Sequence, residues 1–305
     1  MSGPVAAPVR SSSRLLDPVV IARLASMELK ARTIVEGLLL GLHRSPFRGF
    51  SAEFAEYRHY LAGDDPTTID WKVYARSDKY YVKKFEAETN LECNLLVDTS
   101  ASMGYGTGGI TKLEYAACLA AAIAWLVSGQ RDAVGLTSFD EKIVTRLPPR
   151  AKPGQLHSIL IALERLKAGA KSDVAKPLRQ LADTLTKRGL IVLISDLLDE
   201  PEAVVTGLRY LRARGMEVVV FHVLDQAELT FPFEEAAKFT DVESSEEIIA
   251  VPGMVRAHYL EEIEKLKSRY ADGLRAAGID YQMMTTATPL DAALLRYLNA
   301  RGRRI

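Results

Sequence analysis

The sequence has no excess of charge of either sign, since Lys plus Arg and Asp plus Glu number 39 each over 305 residues. Without a net field there is no long-range pull on nucleic acid or on an anionic membrane, so any electrostatic function must be local. Cysteine is also scarce. Cys93 and Cys118 sit in the apolar contexts LECNLLV and YAACLAAA without CxxC spacing, and read as buried free thiols in a reducing cytoplasm. No apolar run reaches the roughly 20 residues of a membrane span. The N-terminus MSGPVAAPVRSSSRLLDP has no continuous apolar stretch of the signal-peptide kind, and residues 1–18 read as a disordered tail. The histidines His43, His59, His157, His222 and His258 share no metal-ligand spacing, and no internal repeat is found.

What is present is rhythm. Beyond residue 91, short β-branched runs alternate with longer helical ones. ECNLLVD reads as a strand, and KLEYAACLAAAIAWLVSG as a helix apolar around most of its circumference, hence buried. AVGLTSF and KIVTRL read as a hairpin through Asp140 and Glu141, followed by the helices PGQLHSILIALERLKAG and DVAKPLRQLADTLTKRG. GLIVLISD and MEVVVFHVL are strands buried on both faces, separated by the helix PEAVVTGLRYLRARG. The helix VRAHYLEEIEKLKSRYADGLRAAG, the strand IDYQMMTT and the helix PLDAALLRYLNARGRR complete the pattern. Such alternation predicts a doubly wound α/β domain with a mostly parallel sheet over residues 91–305. Residues 19–90 break the rhythm and read as an N-terminal helix/β module. Residues 225–253 read as a small antiparallel β insertion.

Ligands of a doubly wound sheet sit at the carboxyl ends of its strands. Asp98 closes the first strand and Asp196 closes LIVLIS, so this topology puts both carboxylates on one rim. Ser100 and Ser102 follow Asp98, and Ser172 lies in the loop KAGAKSD before a helix over the same rim. A hard cation such as Mg²⁺ takes oxygen ligands in near-octahedral geometry. If the neutral hydroxyls ligate it directly, with the aspartates set back behind waters, the ion stays electron-poor and attracts an acidic oxygen from a partner. A plainer reading makes the Asp98 segment an Asx or Ser/Thr turn capping the helix that starts near Thr111, and makes Ser172 part of an N-cap. GYGTGG formally satisfies GxGxxG, but five residues separate Asp98 from Gly104. A dinucleotide fingerprint needs its glycine at the strand–helix turn itself, so the segment reads as a flexible loop.

These residues resemble the metal-ion-dependent adhesion site of the von Willebrand factor A domain, written DxSxS, then a distant threonine, then an aspartate after a later apolar strand. The pattern falls on Asp98, Ser100 and Ser102, on Ser172 in place of the threonine, and on Asp196, followed by Leu197 where the family commonly has glycine. Upstream, YRHYLAGDDPTTIDWKVYARSDKYYVKKFE is similar to the segment that precedes the A-type domain in the bacterial DUF58 family. That resemblance implies a non-enzymatic adaptor or scaffold working with a MoxR-type AAA+ ATPase, holding Mg²⁺ or else Mn²⁺ or Ca²⁺. In the upstream segment Gly63, Asp64, Asp65 and Pro66 suit a turn. Asp70 can pair with Arg58 or Arg76, and with Trp71 these residues form either a brace or a docking surface. The rival from another class is a phosphohydrolase of the haloacid dehalogenase type with Asp98 as nucleophile. That chemistry wants an acid where Ser100 stands, and a lysine loop that the sequence does not display.

Overall fold

In a computed structural model the chain divides into two compact units, residues 45–90 and residues 1–44 with 91–305. The structure describes residues 17–44, 56–59, 81–84, 92–169, 173–185, 187–235, 237–240 and 247–295. In the smaller unit β1 (Glu56–His59) and β2 (Tyr81–Lys84) pair antiparallel, Glu56 opposite Lys84. All other described elements belong to the larger unit.

There α1 (Pro18–Ala22) is opened by Asp17, whose carboxylate accepts from the Val19 N–H at 2.8 Å, with proline in the first turn. A capped helical turn therefore begins inside the stretch read as tail, and residues 1–16 lie outside the described residues. In α2 (Met27–Arg44) the buried positions Met27, Ala31, Ile34, Val35 and Leu38 recur at helical spacing and form one stripe. That stripe packs into the core shared with the sheet, so α2 belongs with the larger unit and not with a module spanning 19–90.

The sheet comprises β3 (Glu92–Asp98), β4 (Ala133–Phe139), β5 (Ile143–Arg150), β6 (Gly189–Ser195) and β7 (Glu217–Leu224). Beyond the short antiparallel pair β8 (Ala237–Thr240) and β9 (Glu247–Ala250) comes its last strand, β10 (Asp280–Thr285). The order is β10-β7-β6-β3-β4-β5, parallel throughout except for β5. Side chains alternate across it with period two. Cys93, Leu95, Val97, Leu190, Val192 and Ile194 face one core; Leu96, Ile191 and Leu193 face the other. The first core is closed by α2, by α3 (Lys112–Gly129) and by α4 (Gln155–Glu164). The second is closed by α5 (Ala175–Thr184), α6 (Pro201–Ala213) and, after the short α7 (Gln226–Thr230), by α8 (Pro252–Ala276). The doubly wound sheet expected from the sequence is what forms, because strands this apolar must be covered twice. By length and hydropathy α3 could cross a membrane, yet 72% of it is buried inside the fold, which explains an apolar circumference without lipid.

Edge strand β5 alternates half-buried with exposed residues and carries Pro148 and Pro149, which offer no N–H for a further strand. It crosses β4 closely at a register shift flanking Gly135, where a Cβ would stand 2.7 Å from Leu147 O and from Pro149 N. Gly135→Ala is therefore expected to cost about 1–3 kcal/mol, read as a lower urea midpoint. An unchanged midpoint would mean that the bulge opens freely.

Candidate functional site

From β3 the chain adds β4 and β5 on one side, then returns to lay β6, β7 and β10 on the other. The rim between β3 and β6 is therefore the topological switch point, where connections leave in opposite directions and open a crevice. Asp98 ends β3, Asp196 directly follows β6, and Val97 is level with Ile194 in the ladder between them. Both carboxylates are fully buried there.

The Asp98 carboxylate is held from two directions. Oδ1 accepts from the Ser100 N–H at 2.8 Å, an Asx turn, and Oδ2 accepts from the Ser195 hydroxyl at 2.6 Å. This turn does not cap α3, for Thr111 does so through its own capping box with Glu114. Ser100 and Ser102 bring their Oγ atoms to 3.0 Å in a mutual hydrogen bond. Two adjacent ligands of an octahedral ion at about 2.0–2.1 Å also lie roughly 3 Å apart, so the hydroxyls are already spaced as an edge of such a shell. Burial, and next the Asp196 carboxylate, push Asp98 up to about 7 against the pull of its hydrogen bonds. A cation on this rim would relieve that repulsion.

Asp196 has a partner that the sequence reading missed. Lys112, the first residue of α3 and wholly buried, places Nζ 2.8 Å from Asp196 Oδ2 and 2.6 Å from Glu228 Oε1. The first contact is an ion pair, and beyond it Asp196 Oδ2 has no hydrogen-bond partner among the described residues. Burial acts most strongly on Lys112 and pulls it down, but the two carboxylates together outweigh it and hold the ammonium above the usual lysine range. The available signal was a lysine opening an apolar helix, at the end where the helix dipole disfavours a cation.

Leu197, which stands where the resembling family commonly has glycine, adopts φ +51°. That left-handed conformation costs a non-glycine residue about 1–2 kcal/mol. Complete burial of the leucyl side chain offsets the cost, and its N–H donates to Ser195 Oγ at 2.9 Å.

Beyond Lys112 the contacts continue to the glycine-rich loop. Asp225 caps α7 in a capping box with Glu228, so Glu228 binds Asp225 N–H through one oxygen and Lys112 through the other. Asp225 also accepts from the Thr107 hydroxyl at 2.5 Å, the Thr107 N–H at 3.2 Å and the Thr286 hydroxyl at 2.8 Å. Burial raises the Asp225 carboxyl, but these bonds and that of Ala227 N–H outweigh it and leave the group below the usual range. The GYGTGG segment, flexible by sequence alone, is fastened at Thr107.

Ser172, Asp64, Asp65, Asp70, Trp71 and Arg76 lie outside the described residues, and Arg58 falls on β1 opposite Val82. The chain before Ser172 is described to Gly169, whose N–H donates to Thr99 O at 2.7 Å beside the rim. After it, Asp173 Oδ1 accepts from Lys176 N–H at 3.0 Å, and the N-cap position of α5 falls on Val174, which makes no side-chain capping bond. Among the described residues no group of three or more His, Cys, Asp or Glu gathers as a metal cluster. An ion on this rim would depend on hydroxyls.

Relatives exist across most of the chain. "Uncharacterized protein Rv1480" of Mycobacterium tuberculosis (strain ATCC 25618 / H37Rv) is 30% identical over 291 residues, which cover 94% of this chain and 91% of the relative. "Uncharacterized protein Mb1516" of Mycobacterium bovis (strain ATCC BAA-935 / AF2122/97) matches to the same extent. Among solved structures the fold is similar to the conserved hypothetical protein BatB from Bacteroides thetaiotaomicron, at 17% identity, 70% of this chain, 99% of that chain and a TM-score of 0.49. The family model described as "Protein of unknown function DUF58" matches residues 56–269, from the first strand of the smaller unit into the last long helix of the larger one. A match of that extent, together with relatives of nearly equal span, places the sheet and its rim in a defined lineage: the chain belongs to the DUF58 family.

Proposed function

We propose that the larger unit is a non-enzymatic protein-interaction module that binds a divalent cation, Mg²⁺ or alternatively Mn²⁺ or Ca²⁺, at the rim between β3 and β6. The observation that carries this reading is the Ser100–Ser102 hydroxyl pair, 3.0 Å apart and adjoining a buried aspartate at the switch point. Ser100 and Ser102 would hold the ion directly, with Ser172 as a further candidate, and Asp98 and Asp196 would balance its charge. Bound mainly by neutral oxygens, the ion would offer an open position to an acidic side chain of a partner. The family resemblance suggests a cytoplasmic MoxR-type AAA+ ATPase as that partner.

Calorimetric titration of Mn²⁺ should show binding to the wild type and at least a tenfold loss in Asp98→Ala, with unchanged circular dichroism. An immobilised protein should retain the ATPase in Mg²⁺ and release it in EDTA. Equal Mn²⁺ affinity in the two proteins would remove the site from consideration.

One observation favours the phosphohydrolase reading, for the rim does contain a lysine. Yet Lys112 is held by Asp196 and Glu228, and both oxygens of Asp98 accept hydrogen bonds within a fully buried setting. A nucleophile needs room for in-line attack, and the fully buried Asp98 carboxylate has no exposed surface to offer it. Turnover of an aryl phosphate with Mg²⁺, lost in Asp98→Asn, would revive that chemistry.

A further inference from the structure

We propose that Lys112 is a tethered competitor cation, whose ammonium holds the Asp196 carboxylate that a divalent ion would use and so sets the affinity of the rim. The inference rests on the metal-binding reading above and adds to it the residue that tunes the site.

Three observations support it. The Lys112 ammonium and Asp196 are both wholly buried, 2.8 Å apart, so bulk solvent screens the pair little. Lys112 has a second seat, since Glu228 Oε1 lies 2.6 Å from the same nitrogen and is itself fixed by the α7 capping box. An ammonium displaced from Asp196 would therefore keep one full partner inside the protein. The cation also sits at the start of α3, where the helix dipole repels it, with the Tyr105 ring 5.8 Å from Nζ. A position so costly for a lysine is sustained by the carboxylates around it.

When a divalent ion arrives, Asp196 exchanges one cation for another, and the ion must overcome both the lost ion pair and its repulsion from a nearby positive charge. Binding is weakened but remains reversible. Because Glu228 also binds the Asp225 N–H, and Asp225 holds Thr107, a shift of Lys112 would be felt in the glycine-rich loop.

The test is calorimetric titration with Mn²⁺ alone on the full chain, comparing wild type with Lys112→Met/Glu228→Gln. The double variant removes one positive and one negative charge, so net charge is unchanged while the competitor is gone. It should bind Mn²⁺ at least tenfold more tightly, about 1.4 kcal/mol. Lys112→Arg, which keeps a cation there, should show no gain. If the double variant does not fold by circular dichroism, Lys112→Gln, which removes the ammonium but keeps a polar side chain, carries the same expectation. Equal or weaker binding in a folded variant lacking the ammonium overturns the inference while leaving the metal site intact. Absence of Mn²⁺ binding from the wild type and the variants alike overturns the metal reading and this inference with it.

Discussion

Replacing Lys112 with alanine is expected to cost the larger unit about 3–5 kcal/mol in metal-free buffer, the range for removing one member of a buried ion pair. The loss comes from what remains. Asp196 and Glu228 would face each other across a space with no ammonium, Asp196 wholly buried and Glu228 nearly so at the side chain. Urea unfolding should register the change as a lower midpoint with little change in slope. A loss below about 1 kcal/mol would mean that the carboxylates are satisfied in some other way. Under the proposed function, Mn²⁺ should return part of the lost stability, because an ion that binds only the folded state stabilises it by mass action.

A second large effect is expected on acidification, through His222. This residue on β7 is wholly buried, with Nδ1 2.7 Å from the Tyr281 hydroxyl and its ring edge-on to Tyr270. Burial depresses its pKa from the ordinary 6.5 to about 4, with Lys112 and Lys267 acting in the same direction and the Asp196 carboxylate opposing them. Above pH 6.5 the ring is neutral in both folded and unfolded chains and costs nothing. As the pH falls below 6.5 the unfolded chain takes up a proton that the folded chain refuses, so the contribution of this residue declines until about pH 4, while Asp98, raised to about 7, acts in the opposite direction. The full loss approaches about 3 kcal/mol, at about 1.4 kcal/mol per pH unit. Thermal or urea midpoints from pH 7 to 4 should fall more steeply in the wild type than in His222→Gln, whatever the stability of the variant at pH 7. Parallel slopes would assign the acid sensitivity to other groups.

Much of the architecture was legible because the relevant signals are local. Continuous apolar runs such as GLIVLIS and EVVVFHVL announce strands covered on both faces, and helical spacing between them forces parallel crossovers. The antiparallel return of β5 and the small β8–β9 pair also followed from short-range pattern. The boundary near residue 19 was misplaced for a physical reason. The apolar stripe of α2 is visible in the sequence, but nothing local says which core it enters.

By itself the sequence determined that two aspartates end two apolar strands and that hydroxyl residues follow the first. Period-two burial and chain alternation leave little freedom there. Only the tertiary structure decided that β3 and β6 are neighbours at the switch point, and that Ser195 closes over Asp98. The same is true of Lys112, Asp196 and Glu228, which are brought to one buried spot from a helix start, a strand end and a short helix far apart in the chain. Those contacts depend on strand order and helix docking, whose energies are summed over whole faces, so no short stretch of residues encodes them.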